Sequence, residues 1–241
     1  LPETWNLSHP DEIIALNRSY FEAGCDVVNT NTFGANALKY PDNLREIVEA
    51  AVSHAKTARS LAGREEAFVA LDIGPTGKLL QRAVELFSET IRIGAAAGAD
   101  LVLIETMSDS YEAKAAVLAA KESCDLPVVV TTIFDEKGKL LTGGTVDSVV
   151  AMLEGLRVDA LGVNCGLGPV QMKPIIKRLT EVSSLPIVVN PNAGLPRSEN
   201  GTTVFDIDAE EFATLMGEIA GMGVHALGGC CGTTPAHISK M

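Results

Sequence analysis

The sequence predicts an α/β protein of the (β/α)8 barrel class, and three observations carry that expectation. Short apolar runs alternate with amphipathic helical stretches along the whole chain. The runs are continuously apolar rather than alternating, as strands buried on both faces must be. Nearly every run ends in polar or glycine residues, which is where barrel enzymes carry their chemistry. A doubly wound sheet fits the alternation too, but it concentrates its site at one switch point, whereas these polar ends recur along the chain.

In chain order, strands are expected over 25–30, 67–73, 100–105, 127–133, 158–164, 186–190 and 224–228. Helices are expected over 10–23, 43–62, 83–97, 110–123, 146–156, 170–182 and 209–222. Ser108, Asp109 and Asp208 are suited to cap helix starts, and Gly24, Gly63, Gly98 and Gly223 stand where helices stop. No low-complexity tract or Pro/Ser-rich linker divides the chain, so residues 1–241 read as a single domain. The first helix has no strand before it; the barrel's first strand is therefore expected to be absent from this chain, upstream of Leu1.

Composition narrows the function. Nineteen Lys and Arg against 31 Asp and Glu give a net charge of −12 over 241 residues, which argues against binding nucleic acid or an anionic membrane surface. Aromatic residues are only 5%, too few for a base-stacking platform. Hydrophobic residues at 46% with 21% charged describe a globular chain with a full core. No apolar stretch approaches the roughly 18 residues that span a bilayer. The start, Leu1-Pro2-Glu3-Thr4-Trp5, lacks an initiator Met and the features of a signal peptide, so the chain reads as a piece of a cytoplasmic protein. Five cysteines, an odd number, do not suggest a disulfide framework and direct attention to metal binding or catalysis.

The strand ends read Asn29-Thr30-Asn31-Thr32-Phe33-Gly34, Asp72-Ile73-Gly74-Pro75, Glu105-Thr106, Thr131-Thr132, Asn164-Cys165-Gly166, Asn190-Pro191-Asn192 and Gly228-Gly229-Cys230-Cys231-Gly232. In a complete barrel Cys165 would end the sixth strand and Cys230-Cys231 the eighth. Alternate strands feed one layer of inward side chains, so the three sulfurs can converge. Adjacent cysteines in an ideal strand point to opposite faces, but the flanking Gly228, Gly229 and Gly232 allow the backbone to turn. Three thiolates suggest a soft metal, zinc foremost, with one position open. A vicinal disulfide at Cys230-Cys231, or plain packing of buried cysteines, uses the same residues. Cys25 and Cys124 read as structural. Among the histidines, His9, His54 and His237 suit solvated or capping roles, and His225 reads as a core histidine in the last strand. Glu105 follows an apolar run, and its carboxylate suits a substrate ammonium, a general base or a salt bridge. No nucleophile elbow is visible and no strand carries a lysine, which weakens a Schiff-base reading. Gly228-Gly229 with Gly232-Thr233-Thr234 also resembles a phosphate cradle at a helix start, a second choice given the cysteines at its centre.

These residues resemble a known family. Gly162-Val163-Asn164-Cys165, Pro191-Asn192-Ala193-Gly194 and Gly228-Gly229-Cys230-Cys231-Gly232-Thr233-Thr234-Pro235 are similar to motifs of the zinc-dependent homocysteine S-methyltransferases. Asn29 to Gly34, Asp72-Ile73-Gly74-Pro75-Thr76-Gly77 and Phe134-Asp135-Glu136-Lys137-Gly138 look most like the homocysteine domain of the cobalamin-dependent methionine synthases. The resemblance implies that Cys165, Cys230 and Cys231 bind Zn2+, with Asn192 able to supply an oxygen when substrate is absent. It implies that Glu105, Thr32, Asp72 and Asn192 line the homocysteine pocket. It also implies methyl transfer to homocysteine from methylcobalamin, which another domain or a partner chain would carry, since no cobalamin-binding motif occurs here. A stand-alone methyltransferase using S-methylmethionine or betaine, and a non-catalytic zinc-binding barrel fragment, are the alternatives. The chain departs from the family pattern in lacking the Asp-Gly-Ala-x-Gly-Thr segment of the first strand and in two short connections, near 37–43 and 77–81; residues missing from the sequence would explain all three.

Overall fold

The computed structural model describes residues 1–78, 80–199 and 201–241. Leu79, inside the second short connection, lies outside the described residues. The chain divides into two compact units, Leu1–Glu105 with Tyr111–Val129, and Thr106–Ser110 with Val130–Met241.

The first unit opens with a short 3-10 turn, Pro2–Thr4, followed by α1 (Trp5–Ser8) and α2 (Pro10–Glu22). Then come β1 (Val27–Asn29), α3 (Leu44–Leu61), β2 (Phe68–Ile73), α4 (Leu80–Ala96), β3 (Leu101–Met107), α5 (Ser110–Ser123) and β4 (Val128–Thr132); β3, α5 and β4 each include residues of both units. β1 pairs with β2 and β2 with β3, both parallel. The apolar periodicity explains the helices: in α3 the buried positions are Leu44, Ile47, Val48, Ala51, Val52, Ala55 and Ala58, one stripe at helical spacing. β2 is buried over five consecutive residues, as its unbroken apolar run requires. α4 packs close to β2 because Gly94 has no side chain; a Cβ there would meet Leu71.

The second unit adds α6 (Val146–Gly155), β5 (Ala160–Asn164), α7 (Pro169–Val182), β6 (Ile187–Asn190), β7 (Arg197–Glu199), β8 (Thr202–Val204), α8 (Ala209–Ala220), β9 (Ala226–Leu227) and α9 (Pro235–Lys240). β5, β6 and β9 pair in that order, all parallel. Thr145 caps α6 in a capping box with Ser148, and Asp208 caps α8 by accepting from the N–H groups of Glu210 and Glu211. β5 approaches β6 at Gly162, where a Cβ would strike the Val188 carbonyl.

The strand–helix alternation matches the sequence expectation, and helices, not a strand, precede β1. Four features were not expected: the 3-10 turn with α1, the antiparallel β7–β8 hairpin, α9, and the extension of β3 two residues past Glu105. Each of the first three is too short for periodicity to register. His225 corrects an expectation. It is exposed rather than buried, because β9 begins after it, and its Nδ1 accepts from the Ile187 N–H at 3.2 Å. His237 is a capping residue as expected, pairing with Thr234 at the start of α9.

Candidate functional site

In the second unit, β5 delivers Asn164 and then Cys165, which takes a left-handed φ of 55°. β9 ends at Leu227, so Cys230 and Cys231 occupy a turn beyond the strand, where strand alternation no longer applies. Gly232 closes that turn at φ 82°, a region open to glycine, and its bare Cα accepts the Phe205 ring. Gly228 and Gly229 are required for a different reason: a Cβ on them would meet the side chains of Asn190 and Thr233.

Backbone hydrogen bonds tie these segments together. Cys165 N–H donates to the Asn190 carbonyl at 3.0 Å, Cys230 N–H to the Pro191 carbonyl at 2.8 Å, and Ala193 N–H to the Cys231 carbonyl at 2.9 Å. The outcome is a three-sulfur cluster. The Sγ atoms of Cys165, Cys230 and Cys231 all lie within 4.8 Å of one another, with Cys165 and Cys231 3.7 Å apart. Four-coordinate zinc with Zn–S bonds of about 2.3 Å places its sulfurs about 3.8 Å apart, so the cluster fits a metal of that kind. Cys165 and Cys230 are half-buried and Cys231 is exposed, which leaves a face of the cluster accessible.

The thiols are electrostatically unequal. Hydrogen bonding with Cys230 is the main influence on Cys165; against the opposing effect of burial, and with help from the Gly166 backbone, Cys231 and Asn192, it brings that thiol down to about 6. Burial, and then the charge of Cys165, push Cys231 up. Asn192 is nearly fully buried, and its Oδ1 accepts from the Cys231 N–H at 3.1 Å. Cys25 and Cys124 are free thiols outside the cluster.

The remaining expected residues, Thr32, Asp72 and Glu105, belong to the first unit. Thr32 is fully buried; its hydroxyl donates to the Asp72 carbonyl at 2.8 Å and lies 2.7 Å from that of Thr30, which accepts from Asp72 N–H at 3.1 Å. Thr32 therefore joins the ends of β1 and β2. Asp72 is buried and its Oδ1 has no hydrogen-bond partner. Burial first, then the charges of Glu105 and Glu3, hold its carboxyl well above the usual carboxylate range. Glu105 is half-buried within β3, not at its end.

Sequence reasoning missed two buried carboxylates of this unit. Glu3 accepts from Gly34 N–H at 2.7 Å and from the Tyr40 hydroxyl at 2.6 Å. Burial opposes its ionisation, but the Tyr40 and Gly34 bonds, with the Lys39 charge, hold it below its ordinary value. Glu112 accepts three bonds through one oxygen, from Thr76 N–H, the Thr76 hydroxyl and Gly77 N–H, at 2.6, 2.7 and 2.8 Å. Both act on loops more than 30 residues away, so no local pattern announces them.

The homocysteine S-methyltransferase family model matches residues 2–241. The chain belongs to the homocysteine S-methyltransferase family. Among homocysteine S-methyltransferase relatives, it is 32% identical to the methionine synthase of Mycobacterium tuberculosis (strain ATCC 25618 / H37Rv) and 34% identical to that of Mycobacterium leprae (strain TN). Each alignment covers 99% of this chain but 22% of the relative, so the chain spans about a fifth of the length of those proteins. The fold of this homocysteine S-methyltransferase family member is also that of the metallated form of the homocysteine methyltransferase MmuM from Escherichia coli. The two share 23% identity and a TM-score of 0.85, over 98% of this chain and 85% of that one. No helix among the described residues is long and apolar enough to cross a membrane.

Proposed function

We propose that this chain binds homocysteine and presents its sulfur, as a thiolate, to an activated methyl group, yielding methionine. The observation that carries the reading is the three-sulfur cluster at zinc-ligand spacing. Cys165, Cys230 and Cys231 would hold Zn2+, with Asn192 beside them. When bound, zinc supplies the chemistry a free thiol lacks at neutral pH, stabilising the deprotonated sulfur while an all-thiolate environment keeps it nucleophilic. The backbone bonds at Cys165, Cys230 and Cys231 hold the ligand sulfurs in register, so little reorganisation is needed. Glu105 and Asp72 are assigned to the amino-acid end of homocysteine, and Thr32 to holding Asp72 in place. In the transfer a new S–CH3 bond forms as the bond from methyl to its donor breaks, and the donor keeps the electron pair.

The donor we favour is methylcobalamin carried on another domain or partner chain. The methionine synthase relatives, about five times longer than the aligned segment, support a chain that performs one part of a larger reaction. A second reading, a stand-alone enzyme using S-methylmethionine or betaine, is favoured by the fold shared with MmuM. Thiols that must stay reduced at the centre suit a reducing compartment, which supports a cytoplasmic location.

The test is Cys165→Ala, expected to lose zinc retention and methyl transfer together, with each donor assayed separately alongside homocysteine. Normal turnover by a metal-free variant overturns the mechanism. A zinc-loaded chain whose metal X-ray absorption spectrum ignores homocysteine supports the non-catalytic alternative.

A further inference from the structure

Asn164 precedes the first cysteine of the cluster, yet its side chain reaches the second. It is fully buried at the end of β5, and every hydrogen-bonding position of its carboxamide is filled. Oδ1 accepts from Thr106 N–H at 2.9 Å and from the Thr131 hydroxyl at 2.9 Å. Nδ2 donates to the Thr106 hydroxyl at 2.7 Å and to Cys230 Sγ at 3.9 Å. The orientation of the amide follows from chemistry: a backbone N–H can only donate, so the atom facing Thr106 N must be the oxygen. The NH2 group is thereby aimed at Thr106 Oγ1 and the Cys230 sulfur.

A second observation points to the same residue. Among the described residues three non-glycines have positive φ: Thr106 at 60°, Arg157 at 57° and Cys165 at 55°. Thr106 is grasped by Asn164 through two hydrogen bonds, and Cys165 is its covalent neighbour. A β-branched residue in the left-handed region is unfavourable by itself, because Cβ crowds the following carbonyl, and it persists only where the surroundings impose it. The two bonds from one rigid carboxamide are such an imposition.

We infer that Asn164 is a positioning residue of the thiolate centre: it fixes the Cys230 sulfur through an N–H···S bond while its other three bonds lock the amide in place. Asn192 stands in a similar relation to Cys165, so two of the three sulfurs each have a buried amide beside them. A donor to a ligand sulfur draws off part of its negative charge and restricts its rotamer, and both effects favour gathering three thiolates at one point. A purely structural amide would need its acceptor half; the donor half toward sulfur distinguishes the two roles. The inference rests on the zinc reading above.

The decisive variant is Asn164→Asp, which retains an oxygen for Thr106 N–H and Thr131 but replaces the NH2 donor. Zinc affinity is measured by competition with a chelator, the sulfur-to-metal charge-transfer band is recorded in the cobalt-substituted protein, and the denaturation midpoint of the metal-free protein is determined. The expected result is a loss of about 10–100-fold in zinc affinity with a shifted charge-transfer band. Unchanged affinity and band, with only a lowered midpoint, overturn the inference and leave the zinc reading intact. If the unsubstituted protein fails to take up zinc through its cysteines, the zinc reading falls and this inference with it. Should Asn164→Asp fail to fold, the unsubstituted protein loaded with 113Cd decides. A scalar coupling between the metal and the Asn164 side-chain amide proton, through the sulfur, supports the bond. Its absence, with the amide proton exchanging freely, overturns it.

Discussion

The two candidate regions of this protein are built on opposite terms. The cluster of the second unit gathers three thiols, and its buried neighbour Asn164 has every polar position filled. The cluster of the first unit gathers carboxylates, and there Asp72 has a buried oxygen without a partner. Thiols tolerate half-buried surroundings when neutral and can discharge their repulsion onto a soft metal. Carboxylates crowded in a buried place cannot, and burial with the neighbouring charges holds Asp72 well above the usual carboxylate range. Two of the three sulfurs thus have a buried amide beside them, whereas in the carboxylate group one buried oxygen, Asp72 Oδ1, has no hydrogen-bond partner.

The largest expected effect breaks the sulfur side. Cys231→Ala removes one of the three proposed ligands and should weaken zinc binding by several orders of magnitude and abolish transfer, read by metal content after dialysis and by methionine formation. Because Cys231 is exposed, thermal unfolding of the metal-free protein should barely change. A large drop in its unfolding temperature would show that the cysteine packs rather than binds.

Asp72→Asn tests the other side, with an intermediate effect. It should raise KM for homocysteine by about 10–100-fold, the size expected for losing a hydrogen bond of roughly 1.5–3 kcal/mol to the charged ammonium of the ligand. It should also change stability in a definite sense. A carboxyl whose folded-state value is raised contributes stability that is complete below its ordinary value near 3.8 and is lost as pH rises through the folded-state value. The unsubstituted protein should thus weaken as pH climbs through that window, and the Asn variant should lose this slope and be the more stable at alkaline pH. Urea midpoints across pH give the answer, and parallel curves for the two proteins would refute the raised carboxyl.

The smallest effect sharpens the comparison. Glu112→Gln should cost about 1–3 kcal/mol in urea unfolding, since it weakens the three bonds that hold Thr76 and Gly77 to α5. Methyl transfer should fall less than with Asp72→Asn, and zinc affinity should stay constant. A fall in zinc affinity comparable to that of Asn164→Asp would contradict the assignment of the two carboxylate and thiolate functions.

Much of this was legible in the residues themselves. Helix stripes such as Leu44, Ile47, Val48, Ala51, Val52 and Ala55 and continuous runs such as Phe68 to Ile73 declare their secondary structure, because a helix or strand is specified by neighbours a few positions apart. The placement of Cys165 and the Cys230-Cys231 pair after two such runs likewise pointed to a shared centre. Elements of three or four residues, such as β7, β8 and α1, escaped because a periodicity needs more repeats than they contain.

The alternation of strands and helices, and the three cysteines whose sulfurs converge, could be read from the residues alone. The rest came with the tertiary packing: that Asn164 reaches Cys230 across 66 residues, that Glu3 grips Gly34 and Tyr40, that Thr32 bonds the backbone of Asp72, and that Asp72 Oδ1 is buried without a partner. The physical reason is range. Backbone propensity and hydrophobic period act between near neighbours, whereas burial and hydrogen-bond satisfaction are settled by whichever distant groups the packed chain brings alongside.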